Sequence, residues 1–291
     1  MSHIPLESNS HRWYCRGREI DLSHGAILMA VINVTPDSFS DGGKYFNTKA
    51  AVAGGVKMVE KGADILDIGG ESSRPGAEPV SEEEEKRRVL PVIERLREEV
   101  DIPLSLDTRK AGVAREGLEA GVDILNDISG LSNGTEMAEM AARTGAGVVI
   151  MHMRGTPKTM QVDTSYDDLI SEIKVFFETQ VCLALRLGVA KEQIVVDPGI
   201  GFGKSVEGNL DIIRRLRDLE IPGIPLMIGP SRKSFIGKVL DRTVNERLWG
   251  TAAAVALGIA HGARIVRVHD VAEMADVVRM SNAILEGKCG H

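Results

Sequence analysis

Cysteine is scarce in this 291-residue chain: Cys15, Cys182 and Cys289 stand far apart, with no CxxC or Cys/His pairing. An odd, scattered set excludes a disulfide framework and a structural zinc site, and it points to a reducing compartment. Aromatics are few, with two Trp, three Tyr and six Phe. Basic residues are outnumbered, 35 Lys plus Arg against 42 Asp plus Glu, for a net charge of −7. A chain of that sign with no basic block is a poor partner for nucleic acid or an anionic membrane. The longest small-apolar stretch, 252–260, is about half of a membrane span. The opening MSHIPLESNSHR has no apolar h-region, so no secretory leader is expected. These absences together lead us to expect a soluble, cytoplasmic protein with small-molecule partners.

What is present is aliphatic and punctuated by glycine. There are 31 glycines, above the ~7% of ordinary usage, with 43% apolar and 26% charged residues. Eight short runs rich in Val, Ile and Leu lie at 27–32, 64–68, 104–107, 123–126, 147–151, 194–197, 225–228 and 264–268. They read as parallel strands buried on both faces. Helical patterns follow them. Residues 48–61 place Ala51, Val52, Val56 and Val59 on one stripe, and 81–99 carries Val89, Leu90, Ile93 and Leu96. The second opens with Ser81-Glu82-Glu83-Glu84, a capping-box spacing with acids at the positive end of the helix dipole. Further helices are expected at 111–120, 135–144, 166–187, 207–219, 245–261 and 271–286. Eight strand–helix alternations are the count of a (β/α)8 TIM barrel, typically ~250 residues long. The expected division is an N-terminal tail and hairpin over 1–26, covering the barrel bottom, and one catalytic barrel over 27–291. A doubly wound open sheet is the competing architecture.

In a barrel the chemistry sits where strands end. The runs end in Asn33; in Asp67, followed by GGESSRPG; in Asp107, Asn126, His152 and Asp197; in Ser231-Arg232-Lys233; and in Arg267 and His269. Each alone can be a strand end meeting solvent, but together they converge on one mouth. Asp107, Asn126 and Asp197 suit a flat heterocycle with ring N–H and amino donors. Asn33, Lys233, Arg267 and His269 suit an anionic group. The ligand inferred from these types is a nitrogen heterocycle bearing phosphate. Two glycine signals fail: Pro198 stands where a P-loop needs its first glycine, and Lys204 where a dinucleotide fingerprint needs its third.

The segments NVTPDSFSDGG from Asn33, GADILDIGGESSRPG from Gly62, LDT from Leu106, NDISG from Asn126, MHMRGTPKTMQ from Met151, DPGIGFGK from Asp197, SRKSFIG from Ser231 and RVHDV from Arg267 resemble, in content and order, the dihydropteroate synthase family. The resemblance runs from about residue 27 to 287. It implies a TIM barrel that joins 6-hydroxymethyl-7,8-dihydropterin diphosphate to p-aminobenzoate, giving 7,8-dihydropteroate and pyrophosphate with Mg2+ assisting. It further implies that Asp107, Asn126, Asp197 and Lys233 hold the pterin, with Ile128, Met151 and Phe202 near its ring. Asn33, Arg267 and His269 would bind the diphosphate, Asn33 through the metal. Phe39, Ser73, Pro75 and Ser234 would surround p-aminobenzoate, while Asp37, Asp41 and Arg74 lie on two loops that order over the site. The resemblance also implies a homodimer and a sulfonamide target.

Some positions depart from the family pattern: Ser73 stands where Thr is frequent, Pro230 where a small polar residue is common, and Gly208 where His is frequent. None removes a presumed catalytic group. Two other functions share part of the pattern. A pterin-dependent methyltransferase would share the pterin-reading Asp and Asn but has no use for the anion-binding segments together. A noncatalytic pterin-binding paralogue would be expected to lose Lys233, Arg267 or His269, and all three are present.

Overall fold

A computed structural model describes residues 12–35, 44–74 and 76–287. The chain opens with an antiparallel hairpin, β1 (Arg12–Cys15) and β2 (Arg18–Asp21). Its two-residue turn places Arg16 and Gly17 at φ 50° and 81°, the left-handed pair that matches the twist of a hairpin. Eight parallel strands then close a barrel: β3 (Ile27–Asn33), β4 (Ile65–Gly69), β5 (Leu104–Asp107), β6 (Ile124–Asp127), β7 (Gly147–Met151), β8 (Ile194–Asp197), β9 (Leu226–Ile228) and β10 (Ala263–Val268). β10 pairs with β3, which excludes the open doubly wound sheet.

Around the strands run α1 (Lys44–Glu60), α2 (Glu82–Glu99), α3 (Ala111–Ala120), α4 (Glu136–Thr144), α5 (Leu169–Arg186), α6 (Val206–Arg214), α7 (Ser234–Leu240), α8 (Leu248–Ala260) and α9 (Val271–Glu286). Ser81 caps α2 by accepting the Glu84 N–H, which is half of the expected capping box; the Glu84 carboxylate pairs instead with Arg87 and Arg88. Four expectations are corrected. The helix expected at 48–61 begins earlier, at Lys44. That expected at 166–187 begins at Leu169, because the Asp168 side chain accepts the Ser171 N–H and caps it. The 207–219 helix ends at Arg214 and continues as a 3-10 turn over Leu216–Leu219. The 245–261 helix is a 3-10 turn, Val244–Glu246, and then α8. No described helix is long and apolar enough to cross a membrane.

Side chains alternate across each strand, and that period of two builds the interior. Met29, Ile65, Ile124, Val149, Val195, Met227 and Ile265 form an apolar layer inside the barrel. Trp13, Cys15 and Leu22 of the leading segment pack against that layer, so the hairpin plugs the barrel bottom. Gly147 makes room for the plug: a Cβ there would lie 2.5 Å from the Cys15 Sγ and 3.0 Å from the Trp13 Nε1. Trp13 donates to the Gln193 carbonyl at 2.8 Å, and Arg16 donates to the carbonyls of Leu118 and Val122. The intervening residues, among them Leu66, Ile68, Leu106 and Val196, face outward into the core shared with the helices.

Candidate active site

Two residues beyond the apolar layer, five of the eight strands present a polar inward side chain, while β3 presents Val31, β7 presents Met151 and β9 is followed by Gly229. Ile65 is followed by Asp67, Ser105 by Asp107, Ile124 by Asn126, Val195 by Asp197 and Ile265 by Arg267. The site is therefore the upper layer of the barrel interior, placed there by strand alternation.

At its centre is Asp67, which has no exposed surface. Its Oδ1 accepts from the Ser105 hydroxyl at 2.6 Å, and its Oδ2 accepts from Asn126 Nδ2 at 3.1 Å and Arg267 Nε at 2.6 Å. Arg267 reaches Asp107 Oδ2 with its Nη2, at 2.7 Å. A buried carboxylate with this many donors is well satisfied, and a guanidinium fork fits two acceptors at once. Sequence reasoning passed over Asp67 and Ser105 as partners. Arg267, expected at the anion end, also reaches Asp67 and Asp107, so the two ends of the mouth are one network.

These bonds leave a particular set of groups over. Asn126 Oδ1 is buried and has no partner; because Nδ2 must face Asp67, the amide oxygen is the free group. Asp197 Oδ1 accepts the Gly199 N–H at 2.7 Å, while Oδ2 has no hydrogen bond among the described residues. Asp107 is in the same position, with Oδ2 on Arg267 and Oδ1 unpartnered among the described residues. Burial pushes the Asp197 carboxyl up to about 6, against the pull of the Gly199 N–H and Lys233. Burial also raises Asp107, despite Arg267. The residues thus offer three acceptor oxygens to a ligand rich in N–H donors.

Beside these acceptors Ile128, Met151 and Phe202 gather into one apolar cluster with Met160 and Met153. Lys233 Nζ sits 3.8 Å from the centre of the Phe202 ring, a cation–π contact, and burial followed by Arg267 lowers its pKa to about 8. Lys204, read from sequence only as a failed fingerprint, is 3% exposed and donates to the carbonyls of His152, Gly199 and Phe202. Three carbonyl acceptors satisfy a buried ammonium and tie the loops after β7 and β8 together. Gly199 is required in that knot: its φ is 65°, and a Cβ would lie 2.0 Å from the His152 carbonyl oxygen.

The anion end holds Lys233, Arg267, His269 and Asn33. Burial, then Arg267, Arg232 and Lys233, lower the His269 ring pKa to about 4. Asn33 closes β3, half-buried, with a side-chain amide that makes no hydrogen bond among the described residues. No group of three or more His, Cys, Asp or Glu side chains among the described residues forms a metal cage. A single amide oxygen, as Asn33 offers at its strand end, nevertheless fits Mg2+, which is commonly held by one or two protein oxygens, water and substrate phosphates.

Ser73 lines a small chamber with Asp107, Ile128 and Glu71. Glu71 holds both ends of this loop, accepting the Val80 N–H at 3.2 Å while paired with Arg109 at 2.9 Å and Lys110 at 2.5 Å. Arg74 and Ser234 are exposed, Ser234 at the first position of α7. Asp37, Phe39, Asp41 and Pro75 lie outside the described residues.

The chain is similar to known proteins over most of its length. Residues 29–269 match the family of pterin binding enzymes. A dihydropteroate synthase of Synechocystis sp. is 51% identical over 265 residues, covering 91% of this chain and 92% of that protein. The structure of a Clostridium difficile dihydropteroate synthase, determined in the presence of pteroic acid, superposes with a TM-score of 0.85 at 48% identity, covering 89% of this chain and 97% of that one. A Xanthomonas albilineans dihydropteroate synthase with 4-aminobenzoic acid gives a TM-score of 0.89 at 41% identity, covering 95% and 98%.

Proposed function

The chain belongs to the dihydropteroate synthases, the pterin-binding transferases of folate biosynthesis, and from that premise we propose which of its residues carry the reaction. The reaction condenses 6-hydroxymethyl-7,8-dihydropterin diphosphate with p-aminobenzoate to give 7,8-dihydropteroate and pyrophosphate. The observation that carries the assignment of residues is the trio of acceptor oxygens left over on Asp107, Asn126 and Asp197. They accept from the amino and ring N–H groups of the pterin, while Ile128, Met151 and Phe202 pack on its ring and Lys233 donates to it.

Arg267 and His269 donate to the diphosphate. The hard step is departure of that group: the methylene C–O bond breaks, its electron pair leaves on the diphosphate, and the electron-rich dihydropterin stabilises the cationic methylene. This is an SN1-like path. Cationic side chains aimed at the leaving oxygens stabilise the charge that grows there. Asn33 would hold Mg2+, which would supply further neutralisation of that charge when bound. The aniline nitrogen needs no prior deprotonation, so no Ser-His-Asp or Cys-His arrangement is called for; it attacks the methylene and then loses a proton. On the family pattern, Phe39, Ser73, Pro75 and Ser234 surround p-aminobenzoate. Asp37 and Asp41 add negative potential near the cation, and Arg74 helps to exclude water that would otherwise capture it.

In this reading residues 27–291 are the catalytic barrel, preceded by the tail and hairpin of 1–26, and the protein works in the cytoplasm. A homodimer is supported by exposed apolar side chains on α8 and α9, which pack against each other: Trp249 and Leu257 on the first, Met280 and Ile284 on the second. A patch of that kind marks an association surface. The function is tested by pyrophosphate release from the pterin diphosphate with Mg2+. Release that depends on p-aminobenzoate is the expected result. Binding of pterin with no release at any p-aminobenzoate concentration indicates a noncatalytic paralogue, and release indifferent to it contradicts the assignment.

A further inference from the structure

Ser231 opens the turn after β9 and is 4% exposed. Its hydroxyl oxygen accepts the His269 backbone N–H at 3.2 Å and lies 3.0 Å from the His269 ring Nδ1. A hydroxyl has one hydrogen to give, and among the described residues Nδ1 is the acceptor within its reach. If Nδ1 carried the ring proton, two N–H donors would face one oxygen and the buried hydroxyl hydrogen would have no acceptor. Native structures rarely leave a buried donor in that state. The arrangement is satisfied when the hydroxyl donates to Nδ1 and the ring proton sits on Nε2, which has no hydrogen-bond partner among the described residues.

The surroundings fix both the ring and its charge. Arg267, Arg232 and Lys233 all bear on the imidazole, with Asp270 as the opposing carboxylate, so burial and three cations disfavour a second ring proton. The turn that presents Ser231 is braced. Arg232 lies at φ 55°, its N–H donates to Thr251 Oγ1 at 3.1 Å, and its guanidinium pairs with Asp270, the neighbour of His269. The loops after β9 and β10 are thus latched twice, once through Ser231 and once through Arg232.

We propose that Ser231 is a positioning residue whose hydroxyl locks His269 as the neutral Nε2–H tautomer, so that an N–H donor rather than a lone pair faces the diphosphate. The proposal rests on the reading of His269 as a diphosphate contact. A ring held the other way would turn a lone pair toward an anion, whereas a preset donor needs no reorganisation when charge grows on the leaving group.

Nitrogen-15 NMR of the free enzyme, with the His269 signals assigned by their loss in His269→Asn, reads the tautomer directly. The wild type is expected to show a pyridine-like Nδ1 and a pyrrole-like Nε2. Ser231→Ala should give a mixture of ring states, kcat lower by roughly tenfold and KM for p-aminobenzoate within about twofold. Ser231→Thr, which keeps the hydroxyl, should restore both the ring signals and most of the rate. A pyrrole-like Nδ1 in the wild type overturns the proposal. So does Ser231→Ala with wild-type ring signals, whatever its rate, because a loss of rate alone reports a structural role. The ring is read without substrate, so this failure is distinct from failure of the functional reading, which appears in the pyrophosphate assay.

Discussion

Asp67 shows how a residue that touches no expected ligand decides the shape of a site. It receives Ser105, Asn126 and Arg267, and by taking the Asn126 amide N–H it turns the opposite oxygen toward the mouth. Asp67→Ala leaves two buried donors without an acceptor and removes one of the two carboxylates of Arg267. Breaking such a buried pair is expected to cost about 3 kcal/mol, read as a drop in urea midpoint at unchanged slope. A loss under ~0.5 kcal/mol would mean that water replaces the carboxylate.

Asp197 is the direct test of pterin reading. Asp197→Asn puts an NH2 where an acceptor is needed, and loss of a charge-assisted hydrogen bond should cost about 1.5–3 kcal/mol of affinity for a pterin without diphosphate, by calorimetry. Unchanged affinity would remove Asp197 from the pterin site. The same residue sets a pH window. Burial raises its pKa to about 6, so the charged, accepting form dominates above that value and is lost as pH falls through it. Pterin affinity should fall as pH drops through about 6 in the wild type, and Asp197→Asn should lose that part of the dependence while keeping the part that Asp107, also raised by burial, contributes.

Among the elements, the leading hairpin stands at the opposite end from the chemistry. Trp13 has no exposed surface and fills the barrel bottom beside Gly147. Trp13→Ala should cost about 3–5 kcal/mol, seen as a lower denaturation midpoint, with kcat of the folded enzyme unchanged. A change in kcat at temperatures where the variant is fully folded would show that the plug reaches the upper layer.

The elements also show what a sequence discloses. Strands buried on both faces announce themselves as short aliphatic runs, and β5, β7 and β8 begin and end where the runs do. Helix α7 was not foreseen, because SFIGKVL is seven residues with a glycine inside and follows directly on a segment read as an anion loop. The 3-10 breaks after Arg214 and before Leu248 leave the apolar spacing intact and are set by backbone geometry that spacing does not encode. Strand ends marked Asp107, Asn126, Asp197, Arg267 and His269 as site residues. Asp67 was marked as a strand end and Lys204 only as a misplaced fingerprint residue, and the roles of both were missed for one reason: each is buried among partners, most of them distant in sequence, that become visible only when the barrel closes.

For the molecule as a whole, closure of the sheet is what makes the site. Inward side chains that are mostly apolar low in the barrel, and polar two residues later on β4, β5, β6, β8 and β10, give a packed lower layer and a hydrogen-bonding upper one. Arg267 on β10 reaches Asp67 on β4 and Asp107 on β5, so the carboxylates proposed to face the pterin and the cation proposed to face the diphosphate are held in fixed relation. Pre-set geometry of this kind lets cationic groups meet developing charge without reorganising. The central claim, that one mouth binds the pterin by its N–H edge and the diphosphate by its cations while p-aminobenzoate attacks between them, is tested by one crystal soaked with pterin diphosphate, Mg2+ and p-aminobenzoate. The account requires dihydropteroate and pyrophosphate in the mouth, with the pterin edge on Asp107, Asn126 and Asp197 and the pyrophosphate against Arg267 and His269. A heterocycle bound elsewhere, or turned so that its N–H edge faces away from those three residues, would contradict it.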